Sequence, residues 1–329
     1  MATVSWVDDN MTTVVIAHAS FPDTRLETEA LAAIGATTVY TGSLRAGAAR
    51  EAAKSADALM VTIQEVDADL IRSLENCKII ARVGTGLDAI DIPAATERGI
   101  WVTYVADYAI DEVSTHAIAL LLNHARRLRQ MVASVKANTW YDAARIEPAP
   151  RLEGQVMGII GLGRIGRAVA AKARGLGLNI IAYDPFVKLD QNNESDIELV
   201  DRDTLYTRAD YISLHAPLTE SSRHIINRAA LEMMKPTAYL INTARGELID
   251  DSALLDAVKA GSIAGAALDV LVVEPPPPDS PLLHDERILI TPHGAWYSEA
   301  SKLDVRRKAT EDVLRVLTGR QPLSPVNQP

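Results

Sequence analysis

Apolar and polar positions along this chain fall into two alternating patterns. Short runs of β-branched and aliphatic residues are separated by stretches whose apolar positions recur three and four residues apart. In the first hundred residues the runs Thr13–His18, Thr37–Tyr40, Ala56–Thr62, Lys78–Arg82 and Ile100–Thr103 predict strands. Helical patterns lie between them, among them Thr24–Ile34, closed by Gly35. Strands alternating with helices predict a parallel sheet covered on both faces. One long helical pattern follows, about residues 110–129. Its run Ala117-Ile-Ala-Leu-Leu-Leu predicts full burial, and its closing Arg126-Arg127-Leu128-Arg129 suits the negative end of a helix dipole. Residues 138–152 read as a connecting loop. The alternation then resumes with strands at Val156–Ile160, Asn179–Tyr183, Asp210–Leu214, Ala238–Asn242, Ala264–Asp269 and Ile288–Thr291. Asp203–Arg208, Arg228–Met234 and Asp251–Ala260 predict the helices between the later strands, with Pro236 and Gly261 at helix stops. A last helix covers about Tyr297–Thr318, and an extended, proline-bearing tail follows Gly319.

The join between the strand at Val156–Ile160 and the next helix reads Gly161-Leu162-Gly163-Arg164-Ile165-Gly166. The first glycine permits a tight turn. The second lets backbone approach a pyrophosphate, and the third lets helix and strand pack closely. The helix N-terminus presents N–H groups to phosphates. Asp184 closes the second strand, eighteen residues past Gly166, where a carboxylate accepts both ribose hydroxyls and repels a 2′-phosphate. This spacing predicts a dinucleotide site that prefers NAD to NADP.

Bulk properties narrow the class. Hydrophobic residues make up 48% and charged residues 23% of the 329, the profile of a globular protein large enough for two domains. The net charge of −10, with no basic run, argues against nucleic acid as a partner, and no apolar stretch is long enough to span a bilayer. The acidic N-terminal stretch lacks the basic region of a secretory signal, so a cytoplasmic location is expected. Cys77 is the sole cysteine and reads as a core residue. No His or Cys pair has metal-ligand spacing, and no metal is expected.

Three polar residues follow strands of the second unit: Arg245, Glu274 and His293. Ligands collect at such strand ends in open α/β sheets. Arg245 offers a bidentate fork for a carboxylate. His293 is suited to donate or accept a proton near neutrality. Glu274 would stabilise the imidazolium and keep reduction active to higher pH. Together they match hydride transfer between a nicotinamide and a 2-oxo or 2-hydroxy acid. Among the other histidines, His116 reads as a core residue and His124 as solvated.

The stretches Arg82-Val-Gly-Thr-Gly-Leu-Asp-Ala-Ile-Asp91, Gly161–Gly166, Tyr183-Asp-Pro185, His215-Ala-Pro-Leu218, Asn242-Thr-Ala-Arg-Gly-Glu-Leu-Ile-Asp250, Ala266-Ala-Leu-Asp-Val270, Glu274-Pro275 and Thr291-Pro-His293 carry a resemblance. Over nearly its whole length the chain resembles the D-isomer-specific 2-hydroxyacid dehydrogenases. Within them, His293-Gly-Ala-Trp296-Tyr-Ser-Glu299 and Pro325-Val-Asn327 are similar to the branch containing the C-terminal-binding-protein corepressors. The resemblance implies a catalytic set of Arg245, Glu274 and His293. It implies cofactor contacts from Thr85, Gly161, Gly163, Arg164, Ile165, Gly166, Asp184, His215, Ala216, Pro217, Thr243, Ala244 and Asp269, with Asp269 on the nicotinamide carboxamide. Val83 and Gly84 would offer N–H groups to the substrate carboxylate, with Arg245 as its anchor, and Trp296 would line the substrate pocket. Two departures stand out. Gly294 replaces an alanine of the corepressor branch, which widens the pocket. Val113-Ser114-Thr115-His116 replaces the Val-Ala-Glu-His of many members.

The expected architecture is α/β, with two doubly wound domains: a Rossmann NAD-binding domain, 109–299, inserted into a flavodoxin-like substrate-binding domain, 1–108 and 300–329. The expected protein is a homodimeric NAD-dependent dehydrogenase acting on a small 2-oxo or 2-hydroxy acid. The alternative is a corepressor-like module that senses NAD(H) and docks partner peptides.

Overall fold

The computed structural model describes residues 12–18, 21–44, 47–140, 148–188 and 196–329. They form two compact units, one from the chain up to Tyr108 together with Ser298–Pro329, the other from Ala109–Tyr297.

The first unit holds strands β1 (Thr13–Ala17), β2 (Thr37–Tyr40), β3 (Ala58–Val61), β4 (Ile79–Arg82) and β5 (Trp101–Thr103), all parallel, in the order β2-β1-β3-β4-β5. That is the flavodoxin-like order. Val15 lies opposite both Val39 and Leu59. β3 is buried along its whole length because helices cover both faces, which is why its sequence is a continuous apolar run rather than an alternation. The helices are α1 (Arg25–Ala32), α2 (Gly47–Lys54), α3 (Ala68–Ser73) and α4 (Ile92–Glu97). Asp67 and Asp91 cap α3 and α4 by accepting the Leu70 and Ala94 N–H groups. The C-terminal helix, Glu299–Leu317, starts from a reciprocal Ser298–Ser301 capping box. Its buried Arg306 makes two 2.6 Å hydrogen bonds to the fully buried carboxylate of Glu27 on α1. The tail returns along β5, with Thr103 bridged to Pro325 and the Asn327 carboxamide taking the Val102 N–H.

The second unit opens with α5 (Ile110–Ala125) and α6 (Leu128–Lys136). It continues through β6 (Val156–Ile160), α7 (Arg164–Gly175), β7 (Asn179–Tyr183), β8 (Ile197–Leu199), α8 (Arg202–Arg208) and β9 (Tyr211–Leu214). It ends with α9 (Arg228–Met233), β10 (Tyr239–Asn242), α10 (Asp251–Ala260), β11 (Gly265–Leu268), α11 (Pro281–His284) and β12 (Ile288–Ile290). The seven strands are parallel, in the order β12-β11-β10-β9-β6-β7-β8. Strand order reverses where β6 meets β9, the dinucleotide-binding topology. One core layer packs Leu121, Val169 and Ile159 from α5, α7 and the sheet; the other packs Leu205, Leu231 and Leu254 from α8, α9 and α10. Among the described residues no helix is long and apolar enough to cross a membrane.

The long helix expected over 110–129 is two helices. Arg127 sits in the left-handed region, with φ 54, and ends the run between α5 and α6. Its guanidinium donates to the Pro148 carbonyl at 2.9 Å, a contact between residues twenty-one apart that no local pattern encodes. The adjoining His124, read as solvated, instead stacks 3.6 Å from the Tyr239 ring, and burial with Arg127 nearby pushes it down to about 3. Part of the loop expected at 138–152, residues 141–147, lies outside the described residues. The Cys77 thiol donates to the Ile79 carbonyl, and burial pushes it up to about 12.

Candidate active site

The turn from β6 into α7 is shaped by what its glycines exclude. Gly161 has φ +92, and a Cβ there would lie 2.5 Å from the Ala216 nitrogen and 2.6 Å from the His215 carbonyl carbon. The ends of β6 and β9 therefore meet backbone to backbone, at the point where strand order reverses. A Cβ on Gly166 would lie 2.1 Å from the Gly161 oxygen, so only glycine lets α7 start this close to the sheet. Around Gly163 there is open space to 4 Å. Gly163 is also the N-cap of α7, with no side chain capping the turn begun by Arg164 and Ile165, so the positive end of the helix faces that space.

Asp184 is bound to this turn. Its Oδ2 accepts the Leu162 N–H at 2.8 Å and its Oδ1 the Phe186 N–H at 2.9 Å. Across the switch point, the His215 N–H donates to the Ile160 carbonyl and its ring bonds the Ser213 hydroxyl at 2.8 Å. Burial pushes that imidazole down to about 3, so it is neutral. The Pro217 carbonyl accepts the Ser222 hydroxyl. At the end of β10, buried Asn242 clamps the next loop: its Oδ1 takes the Ala244 N–H and its Nδ2 donates to the Arg245 carbonyl. The Thr243 hydroxyl is buried without a partner among the described residues. An open helix N-terminus, an anchored acid and an orphaned hydroxyl, all at strand ends of one sheet, fit a dinucleotide.

Arg245, Glu274 and His293 all belong to this unit. Gly246 follows Arg245, and a Cβ on it would lie 2.1 Å from the Leu271 carbonyl carbon. The loop after β10 therefore packs directly on the loop after β11 that carries Glu274. The Glu274 Oε2 lies 2.7 Å from His293 Nδ1, while its Oε1 accepts the Leu271 N–H at 2.9 Å. Burial alone pushes the Glu274 carboxyl up. The His293 hydrogen bond, the Leu271 N–H and the positive charges of His293 and Arg245 outweigh it and hold the group below the usual glutamate range. With Nδ1 held by Glu274, the Nε2 of a ring that is 44% exposed is the nitrogen left to exchange a proton. The Arg245 Nη1 donates to the Ala244 carbonyl at 2.6 Å, which stiffens the stem of the guanidinium.

The first-unit residues named from the sequence lie just past β4. The Val83 N–H donates to the Val61 carbonyl at 2.7 Å and the Gly84 N–H to the Arg82 carbonyl at 2.9 Å. The two N–H groups expected to serve a substrate carboxylate are thus engaged within the unit, because the β3–β4 ladder runs one residue further and the chain then turns back. Thr85 is exposed, and its hydroxyl donates to the Val105 carbonyl. Trp296 is half-buried, edge-on to Tyr297.

Sequence reasoning passed over Asn242, Thr291 and the environment of His116. The ring of His116 is 27% exposed, not core, and lies 3.1 Å from the Thr291 hydroxyl. The unusual Ser114 and Thr115 have a counterpart on α7: together with Asp111 they surround the Lys172 ammonium, at 2.8, 2.6 and 2.6 Å. A polar residue at a strand end (Asn242) and a hydroxyl just before Pro292-His293 (Thr291) were the available signals.

Residues 118–295 match the family model described as D-isomer specific 2-hydroxyacid dehydrogenase, NAD binding domain. A D-3-phosphoglycerate dehydrogenase of Archaeoglobus fulgidus is 40% identical over 292 residues, covering 88% of this chain and 55% of the relative. The chain thus spans about half the length of that enzyme. A glyoxylate reductase of Korarchaeum cryptofilum is 37% identical over 281 residues, 84% of this chain and 85% of the relative. Among solved structures, a D-lactate dehydrogenase from Aquifex aeolicus, complexed with NAD and lactic acid, matches with a TM-score of 0.88 at 28% identity, over 97% of this chain and 100% of that one. The chain belongs to the D-isomer-specific 2-hydroxyacid dehydrogenase family, and its second unit contains that family's NAD-binding domain.

Proposed function

We propose that the protein is an NAD-dependent oxidoreductase that interconverts a small 2-oxo acid and its D-2-hydroxy acid. The observation that carries this reading is the 2.7 Å contact between His293 Nδ1 and Glu274 Oε2, at the strand-end rim that also carries the glycine turn and Arg245. Bound NADH supplies the hydride. Arg245 anchors the substrate carboxylate through its planar fork. His293 Nε2 gives its proton to the substrate carbonyl oxygen as hydride reaches the carbonyl carbon, and takes a proton back in the oxidation direction. Glu274 fixes the ring through Nδ1 and stabilises the imidazolium. Asp184 would accept the ribose hydroxyls. Asp269, at the end of β11, would meet the nicotinamide carboxamide; its Oδ1 receives two hydrogen bonds and its Oδ2 one.

Kinship to glyoxylate reductases and D-lactate dehydrogenases points to acids with a short side chain. The relatives above are all dehydrogenases or reductases, and none favours the corepressor alternative. For the implied homodimer, α6 offers a face: Leu128, Val132 and Val135 are exposed on it.

The test is a panel of 2-oxo acids (glyoxylate, pyruvate, hydroxypyruvate, phosphohydroxypyruvate, phenylpyruvate) followed by NADH absorbance. Turnover of at least one, abolished in His293→Ala, is expected. NADH binding without turnover of any acid would refute the enzyme reading.

A further inference from the structure

His293 has φ 52, a left-handed conformation that L side chains rarely adopt. Asp269, at the end of β11 and 2% exposed, holds the turn that imposes it. The Asp269 carbonyl accepts the His293 N–H at 2.8 Å. Its Oδ1 accepts the Gly294 N–H at 3.0 Å and its Oδ2 the Ala295 N–H at 2.9 Å. Three successive N–H groups of the turn therefore end on one residue. The bonds from Gly294 and Ala295 hold only while the Asp269 carboxylate keeps its orientation.

The orientation is set from α5. Thr291 donates its hydroxyl proton to Asp269 Oδ1 at 2.5 Å. A threonine hydroxyl has one proton, so its 3.1 Å contact with His116 Nε2 requires that nitrogen to be the donor. The same Nε2 lies 3.6 Å from Asp269 Oδ1, so its N–H dipole also faces the carboxylate. The hydrogen bonds run in one direction, from His116 through Thr291 to Asp269, and bonds of one sense polarise and reinforce each other. The starting point is itself held, since Lys172 of α7 gathers Asp111, Ser114 and Thr115 of α5 around one ammonium.

We infer that His116 is a positioning residue: acting through Thr291, it orients the Asp269 carboxylate and so sets the turn that aims the His293 ring. The inference rests on the reading of His293 as the proton-transfer group. It predicts that His116 needs an N–H donor at this reach, not a particular volume.

The test compares the full-length protein with His116→Ala, His116→Gln, Thr291→Val, Thr291→Ser and the double variant H116A/T291V. The first readout is amide hydrogen exchange at Gly294 and Ala295, with the β6 and β9 amides as a control for folding. Exchange at the two turn amides is expected to rise about tenfold in His116→Ala and Thr291→Val, with β6 and β9 unchanged, and to return toward normal in His116→Gln and Thr291→Ser. The double variant is expected to match the worse single variant, since both cut the same chain. The second readout is turnover of the best acid from the panel above, where kcat should fall in His116→Ala and Thr291→Val and recover in His116→Gln and Thr291→Ser. Unchanged exchange at both amides in His116→Ala would overturn the inference, as would His116→Gln behaving like His116→Ala. If no acid is turned over, the proposed activity fails while the exchange data still decide the role of His116.

Discussion

Glu274 and His293, nineteen residues apart in the chain, meet at 2.7 Å through Oε2 and Nδ1. Glu274 is held below the usual glutamate range, so its carboxylate stays ionised where a free glutamate would begin to protonate. For a depressed acid the sign is fixed: the stabilisation is complete above the unfolded value of 4.5 and is lost as pH falls through the lower folded value. Through the neutral range the pair is therefore intact. Glu274→Gln keeps a hydrogen bond but removes the charge that stabilises imidazolium. The kcat for reduction is expected to fall at least about tenfold. A kcat equal to that of the parent would contradict the role.

Arg245→Ala should reduce kcat/KM for the 2-oxo acid by about 100- to 1,000-fold, the loss of a charge-assisted bidentate contact. NADH affinity, measured by fluorescence quenching, should change little. Arg245→Lys should recover only part of the loss, because an ammonium lacks the planar fork. Turnover within a few-fold of normal in Arg245→Ala would remove the anchor from the mechanism.

Asp184 accepts the Leu162 N–H of the dinucleotide turn and the Phe186 N–H just past its own strand, and supplies the negative charge expected beside the ribose. Asp184→Ala is expected to weaken NADH about tenfold and to narrow the preference over NADPH. Equal use of both cofactors by the parent protein would show that this acid does not discriminate.

In the first unit, Arg306 and Glu27 form a buried pair at 2.6 Å, and Arg306 also donates to the Asp23 carbonyl. Removing one partner strands a charge without water. Glu27→Ala is expected to cost about 3–5 kcal/mol, read from the denaturant midpoint. A loss below about 1 kcal/mol would mean that water reaches the guanidinium.

His18 is fully buried, and neither ring nitrogen has a hydrogen-bond partner among the described residues. Burial chiefly, opposed by Glu27 and aided by Arg306, holds it below its ordinary value of 6.5. The unfolded chain then binds the proton more readily, so stability is complete above 6.5 and declines as pH falls from there toward the lower folded value, by up to about 1.4 kcal/mol per pH unit. His18→Leu should flatten that decline between pH 6.5 and 5, since it removes the titrating ring and leaves an apolar side chain between Phe21 and Tyr40. An equal acid loss in the variant would assign the effect elsewhere.

Strands covered on both faces were the most legible elements, because burial from two sides leaves one continuous apolar run, as in Ala58–Val61 and Tyr239–Asn242. The break after α5 was not legible. Nothing in Arg126-Arg127-Leu128 opposes a helix locally, and the left-handed Arg127 is held by Pro148 and His124. His124 read as solvated for the same reason, since its neighbour is a tyrosine from the distant strand β10.

What the sequence determined by itself was the order of elements, the dinucleotide turn and the residue types standing at the strand ends. These depend on short-range physics: the period of apolar positions, and glycines where a Cβ would strike backbone. Only the tertiary structure decided which polar groups meet. Glu27 reaches Arg306 across 279 residues and His116 reaches Thr291 across 175, because sheet order and helix packing bring these pairs together. At a few ångströms, who donates and who accepts depends on that arrangement and not on spacing along the chain.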